Sequence, residues 1–184
     1  MPIPDGLRYV RLCSRLVDTV RAMEIRRLTS DDVDQAGHLY LQSAELHADL
    51  DPDYYRVPSL ETVAAHYADL AERNESEPVA CFVAELDEAV VGIVEVNVSD
   101  PPSSNSMLRP GRVASVDIVV EANHRRRGIG AALMQRAETW AHDQGATSLM
   151  LDMLRANEPA LAFYNALGFE DHGALLLRRH FESR

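Results

Sequence analysis

A mixed α/β domain is the fold class that this sequence predicts. Three observations carry it. The apolar period changes along the chain, from helical spacing over 33–70 to valine-rich alternation over 78–98, then back to helical spacing after Gly130. Strand-like runs interleave with the helical ones in the order β-α-α-β-β-β-α-β-α-β-β, with no internal repeat. The length of 184 residues fits one domain, and 46% hydrophobic with 26% charged residues is the profile of a chain that can bury a core.

Each element has a local cause. Glu24–Arg27 reads as a short first strand. Thr29 with Asp32 three residues on has the form of a capping box, and Val33, Ala36, Tyr40, Ala44 and Ala48 follow at helical spacing. "LDPDYYRVP" (50–58) breaks that helix with two prolines, and Ser59 starts the next, with Leu60, Val63, Tyr67 and Leu70 on one face. The valine-rich 78–98 reads as two antiparallel strands joined by a tight turn at Asp87–Glu88. "SDPPSSNSMLRPG" (99–111) is a long polar loop with three prolines, of a length that is often functional. Arg112–Val120 is the next strand, followed by a helix with Ile129, Leu133, Ala137 and Trp140 inward and a break at Gly145. "SLMLDML" (148–154) reads as a buried strand. Asn157 and Pro159 open the last helix, Gly168 closes it, and Phe169–His172 with Ala174–Phe181 can form a final hairpin.

The first 22 residues stand apart as an N-terminal extension before a domain spanning 23–184. Arg8, Arg11, Arg15 and Arg21 alternate there with apolar residues, as in an amphipathic helix. A targeting peptide is a second reading, opposed by Asp5, Asp18 and the lack of a long apolar centre; a start at Met23 is a third. No apolar run reaches the length of a membrane span, so no membrane partner is expected. Cys13 and Cys81 form no metal-ligand or disulfide pattern, which points to a cytoplasmic protein with no metal.

The formal net charge is −11, and all 18 basic residues are arginine. A general nucleic-acid binder would carry the opposite sign. Against that background "HRRRGIGAAL" (124–133) is a local device. The first amides of a helix lack intrahelical partners, and the helix dipole adds partial positive charge there. Gly128 and Gly130 remove side chains at the turn, so an anion can approach the amides of residues 126–131, and Arg125, Arg126 and Arg127 add full charges. A plain helix start with solvated arginines is the alternative. A dinucleotide fingerprint needs a third glycine where this chain has Leu133, and a Walker loop needs a lysine that is absent. The helix turns Ile129, Leu133 and Trp140 toward a core, so it does not read a nucleic-acid groove.

What remains is specific. Arg125-x-x-Gly128-x-Gly130 resembles the pyrophosphate-binding signature of the GNAT superfamily of acyl-CoA N-acyltransferases. "VDIVVEANHRRRGIGAAL" looks like that family's motif A and "NEPALAFYNALGF" like its motif B, in the right order over roughly 160 residues. Ala122 stands where the family often has proline. The resemblance implies a central, mostly antiparallel twisted sheet of six or seven strands, about four flanking helices, and a splay between strands 4 and 5.

It also implies acetyl-CoA as cosubstrate. The pyrophosphate would lie on Arg125, Arg126, Arg127, Gly128, Ile129, Gly130 and Ala131. The pantetheine arm would pair with Ile118, Val119 and Val120, an amide around Val119 meeting the oxyanion. Asn157 matches a pantetheine contact, though its residue type is equally that of an N-cap. Tyr164 matches the tyrosine that protonates the departing thiolate; the alternative is an aromatic core residue beside Phe163. The acceptor amine must lose a proton, and a carboxylate acting through water is the usual solution. Asp117 and Glu95 are odd polar residues among valines and are the candidates, each with the alternative of an exposed or salt-bridged residue. "ELHADLDPDYY" (45–55) falls where the family's acceptor-binding segment lies. The expected function is direct acetyl transfer to a primary amine of a small molecule or peptide; the alternative is a non-catalytic acyl-CoA sensor. Dimers are frequent among similar proteins, which leaves a homodimer open.

Overall fold

The computed structural model describes residues 23–73 and 78–173. The N-terminal extension 1–22 and the expected strand Ala174–Phe181 lie outside the described residues. The chain divides into two compact units, Met1–Leu151 and Asp152–Arg184.

The first unit holds β1 (Glu24–Arg27), α1 (Val33–Leu50), α2 (Leu60–Glu72), β2 (Val79–Leu86), β3 (Ala89–Val98), β4 (Arg112–Val120), α3 (Ile129–Asp143) and β5 (Ala146–Met150). The sheet order is β1-β2-β3-β4-β5, antiparallel throughout except for the parallel β4–β5 pair. These are five strands among the described residues, fewer than the six or seven expected. Phe169–His172, half of the expected final hairpin, carries no strand.

Local chemistry sets the boundaries. Asp32 takes up the Thr29 amide and hydroxyl, each at 2.8 Å, and the chain passes through a short 3-10 turn into α1. The Asp32 carboxylate is also gripped by Arg26, at 2.6 and 2.8 Å, tying the helix start to β1. Ser59 caps α2 by accepting the Thr62 amide. The β2–β3 turn is made by Asp87 and Glu88, both at positive φ (54° and 67°), the geometry of a type I′ hairpin without glycine.

The period of two then sorts the sheet into faces. Cys81, Val83 and Ile93 pack with Leu39, Val63, Tyr67 and Leu70, so α1 and α2 cover one face. Phe82 lies under Arg136 of α3, and Gly92 lies under Ile129 and Leu133, so α3 covers the other. Tyr40, which follows the helical spacing of α1, is 40% exposed, while Gly37 and Leu39 are buried. The β5 strand starts at Ala146 and is half-exposed, where a buried strand over 148–154 was expected. As the last strand of the described sheet it has a neighbour on one side alone. No helix among the described residues is long and apolar enough to cross a membrane.

The second unit carries α4 (Glu158–Ala166). Asn157 caps it by accepting the Ala160 amide at 3.3 Å, with Pro159 in the first turn, and Gly168 leaves it at φ 88°.

Candidate functional site

The site begins where a strand loses its neighbour. β5 runs beside β4 only from Arg112 to Ser115, while β3 runs beside it from Ala114 to Val120 without a register shift. Among the described residues, Val116–Val120 therefore has a ladder on one side and an opening on the other. This is the expected splay between strands 4 and 5. The bonding phase follows from two contacts: Ser99 donates to the Val113 carbonyl and Glu121 to the Val91 carbonyl, each at 2.9 Å. Antiparallel ladders alternate, so the odd-numbered residues of β4 bond to β3 and the even ones point their backbone outward. Val119 thus directs its amide to β3. The outward amides are those of Ile118 and Val120. Arg125 Nε donates to the Val120 carbonyl at 2.9 Å, fastening the arginine loop to the strand end.

Beyond the strand, a 3-10 turn over Ala122–His124 leads into the glycine junction. His124 Nδ1 lies 2.6 Å from Glu121 Oε2 and steadies that turn. Arg126 (φ 63°) and Gly128 (φ 83°) both lie in the left-handed region, a conformation that brings successive amides into a concave nest for an anion. The first bond of α3 runs from the Ala132 amide to the Gly128 carbonyl at 3.0 Å. The amides of Ile129, Gly130 and Ala131 thus have no acceptor within the helix, and Gly128 brings no capping side chain. Arg126 and Arg127 are exposed beside them. Ile129 is buried and pins the helix start against Gly92, where a side chain would collide with Leu133, Ile129 and the Val119 carbonyl.

The two carboxylates singled out by sequence are brought together. Glu95 and Asp117 are direct partners across β3 and β4, on the face covered by α1 and α2. Like charges placed directly opposite each other are unfavourable in a sheet. His66 of α2 sets its Nε2 2.9 Å from Glu95 Oε2. Its ring packs edge-on against Tyr67, centroids 5.3 Å apart, and Tyr67 meets Tyr40 at 6.3 Å. Burial, then the charges of Asp117 and Glu95, raises the Tyr40 phenol above its ordinary range; burial drives Tyr67 up further. Sequence reasoning passed over His66 and Tyr40. A histidine next to the buried stripe of α2 carries no signal by itself, because its partner lies 29 residues away.

In the 45–55 segment the Asp51 carbonyl accepts the Tyr54 and Tyr55 amides, and Tyr55 packs against His47 at 5.1 Å and Tyr54 at 4.9 Å. Within the second unit Tyr164 is half-buried between Phe163 and Phe169, at 5.2 and 5.6 Å. The cap made by Asn157 uses its Oδ1. Among the described residues no cluster of three or more potential metal ligands occurs.

Comparison with known proteins identifies the family. The sequence profile of the Acetyltransferase (GNAT) family matches residues 43–169. Human N-acetyltransferase 8 is 34% identical over 113 residues, 61% of this chain and 48% of that protein. An uncharacterized N-acetyltransferase of Methanocaldococcus jannaschii is 27% identical over 170 residues, 92% of this chain and 70% of that one. The chain spans about half the length of the mammalian relatives it matches. In fold it is similar to a mutant of the BH1408 protein from Bacillus halodurans, with TM-score 0.77, 19% identity, and coverage of 86% of this chain and 100% of that one. It is similar also to the aminoglycoside N-acetyltransferase AAC(6')-Iy in complex with CoA, with TM-score 0.66, 18% identity, and coverage of 89% and 98%. With a profile match over more than half its length on a sheet that opens beside β4, this chain belongs to the GNAT acetyltransferase family.

Proposed function

We propose that this chain is an N-acetyltransferase that moves the acetyl group of acetyl-CoA directly to a primary amine. The observation that carries the reading is the junction of an open strand edge at Ile118–Val120 with the uncapped start of α3 at Ile129–Ala131. One edge offers amides to an extended amide-bearing arm, and the other offers amides and arginines to a pyrophosphate. Arg126 and Arg127 supply charge; Arg125 holds the loop to Val120.

In this reading an outward amide of β4 meets the developing oxyanion. Glu95 and Asp117 draw in the cationic amine, whose proton a base must take before the nitrogen attacks. The amine nitrogen then forms the bond to the acetyl carbon as the carbon–sulfur bond breaks. Tyr164 returns a proton to the thiolate, and Asn157 contacts the arm; both roles rest on their places in the motif. A phenol of ordinary pKa about 10 can share its proton with a thiolate of about 8.5 as charge develops.

The test is calorimetric titration with CoA together with free-thiol release in the presence of amines. Tight CoA binding and amine-dependent release support the reading, and Tyr164→Phe then lowers kcat by roughly 100-fold. CoA binding without release from any acceptor favours a sensor. No CoA binding overturns both.

A further inference from the structure

We propose that His66, oriented by Glu95, is the general base of the transfer and therefore a catalytic residue; this rests on the acetyl-transfer reading above. The His66–Glu95 contact joins α2 to β3 across a separation of 29 residues, at 2.9 Å. It engages a single ring nitrogen, Nε2, and a single carboxylate oxygen, Oε2. A carboxylate bonded to one nitrogen fixes the proton there, leaving the lone pair on the other, here Nδ1. Packing against the buried ring of Tyr67 fixes the plane of the imidazole. The His66 side chain is 49% exposed and that of Glu95 26%, so the imidazole is the more accessible member of the pair and the orienting carboxylate the more sheltered.

The chemistry fits an imidazole better than a bare carboxylate. A general base works best when its pKa is near the operating pH, and imidazole is the side chain whose ordinary value lies there. Nδ1 takes one proton from the substrate ammonium, which frees the nitrogen lone pair. The imidazolium formed is stabilised by Glu95 and later gives that proton to solvent. The second amine proton leaves as the amide forms, and the thiolate gains one, so the step balances as ammonium plus thioester giving amide, thiol and one released proton. His66 touches Glu95 from β3 and Tyr67 of its own helix; Glu95 in turn stands opposite Asp117 of β4 and Cys81 of β2, and Tyr40 from α1 meets Tyr67. Asp117 then binds the cationic amine and does not accept its proton.

The test compares wild type, His66→Ala, His66→Gln and Glu95→Gln in thiol release with acetyl-CoA and three acceptors: spermidine, kanamycin and a peptide with a free N-terminus. The expected result is a fall in kcat of roughly 100-fold in both His66 variants with KM for acetyl-CoA unchanged. Added imidazole restores turnover to His66→Ala, and the acidic limb of the pH profile disappears in His66→Gln. In Glu95→Gln kcat falls as well, because the ring loses the carboxylate that orients it. Wild-type turnover in the His66 variants with the limb intact overturns the assignment and leaves acetyl transfer standing. So does a His66→Gln enzyme that is fully active while His66→Ala is dead and not rescued, since glutamine keeps the hydrogen bond and cannot take the proton. A wild type that binds CoA and releases no thiol with any of the three overturns both readings.

Discussion

Gly92 offers the most direct test of how packing seats the start of α3. It lies in β3, where a side chain would stand 3.0 Å from Leu133 Cδ1, 3.2 Å from the Val119 carbonyl oxygen and 3.3 Å from Ile129 Cγ2. The leucine end can swing away. The Val119 carbonyl cannot move without disturbing the β3–β4 ladder, and Ile129 is the first residue of α3. Gly92→Ala therefore forces α3 and the edge of β4 apart by a few tenths of an ångström. Overpacking of this kind costs about 1–3 kcal/mol, partly offset by the lower unfolded-state entropy of alanine. A net loss of about 1–2 kcal/mol lowers Tm by about 2–8 °C at this chain length. The helix-terminal amides shift with α3, so CoA binding weakens by about one hydrogen bond, roughly 1 kcal/mol or about fivefold in Kd. Gly37→Ala is the control. In α1 its nearest contact would be the flexible Leu60 Cδ1 at 3.1 Å, and the helix gains up to about 1 kcal/mol in propensity. Thermal unfolding and calorimetry on the two variants decide the matter. A Gly92→Ala protein with wild-type Tm and wild-type CoA affinity would falsify the argument that this glycine seats α3.

Three further outcomes follow from the same structure. Gly128 sits at φ 83° with nothing within 4 Å of a Cβ, so Gly128→Ala meets no collision and costs about 1–2 kcal/mol of backbone strain, while Gly128→Asn costs less; equal Tm values for the two would contradict this. Burial pushes the Asp32 carboxyl up, but hydrogen bonds from Arg26 and Thr29 outweigh it and hold the group below its ordinary value of 3.8. A depressed carboxyl stabilises the fold above the unfolded-state pKa and loses that contribution as the pH falls through the folded one. Asp32→Asn should cost about 2–3 kcal/mol in urea unfolding at neutral pH, at the low end for a broken buried pair because Arg26 keeps Glu85, and less as the pH falls below 3.8. Cys81 is buried and its thiol is raised, by burial first and then by the charge of Glu95; peptide mapping after iodoacetamide should find it unmodified in the native protein and modified in urea.

Much of the scaffold was legible because its causes are local. The turn at Asp87–Glu88, the Ser59 and Asn157 caps, and the inward stripe Ile129–Leu133–Ala137–Trp140 are set by residues within a few positions of one another. The glycine junction was legible for the same reason. Other readings failed where the outcome depends on distant partners. Tyr40 fits the apolar period of α1, yet it stands partly exposed beside Tyr67 because the helix packs through Ala36, Gly37 and Leu39. The limits of β5 escaped the sequence because a run of apolar residues does not say where its ladder stops. Glu95 and Asp117 were identified by type, two acids among valines, but as separate candidates.

The sequence by itself determined the order of elements, the charge and glycines of the anion cradle, and the membership of two acids in valine-rich strands. Periodicity, caps and turn residues act over one or two turns of chain, so they are written where they act. Only the tertiary structure decided that β5 leaves β4 at Ser115, that Ile118 and Val120 turn their amides to the opening, and that Glu95 lies opposite Asp117 with His66 upon it. Strand register is fixed by which faces are buried under α1, α2 and α3 together. Shifting it by one residue would turn Glu95 and Asp117 to the other face, and no short window of the chain contains that information.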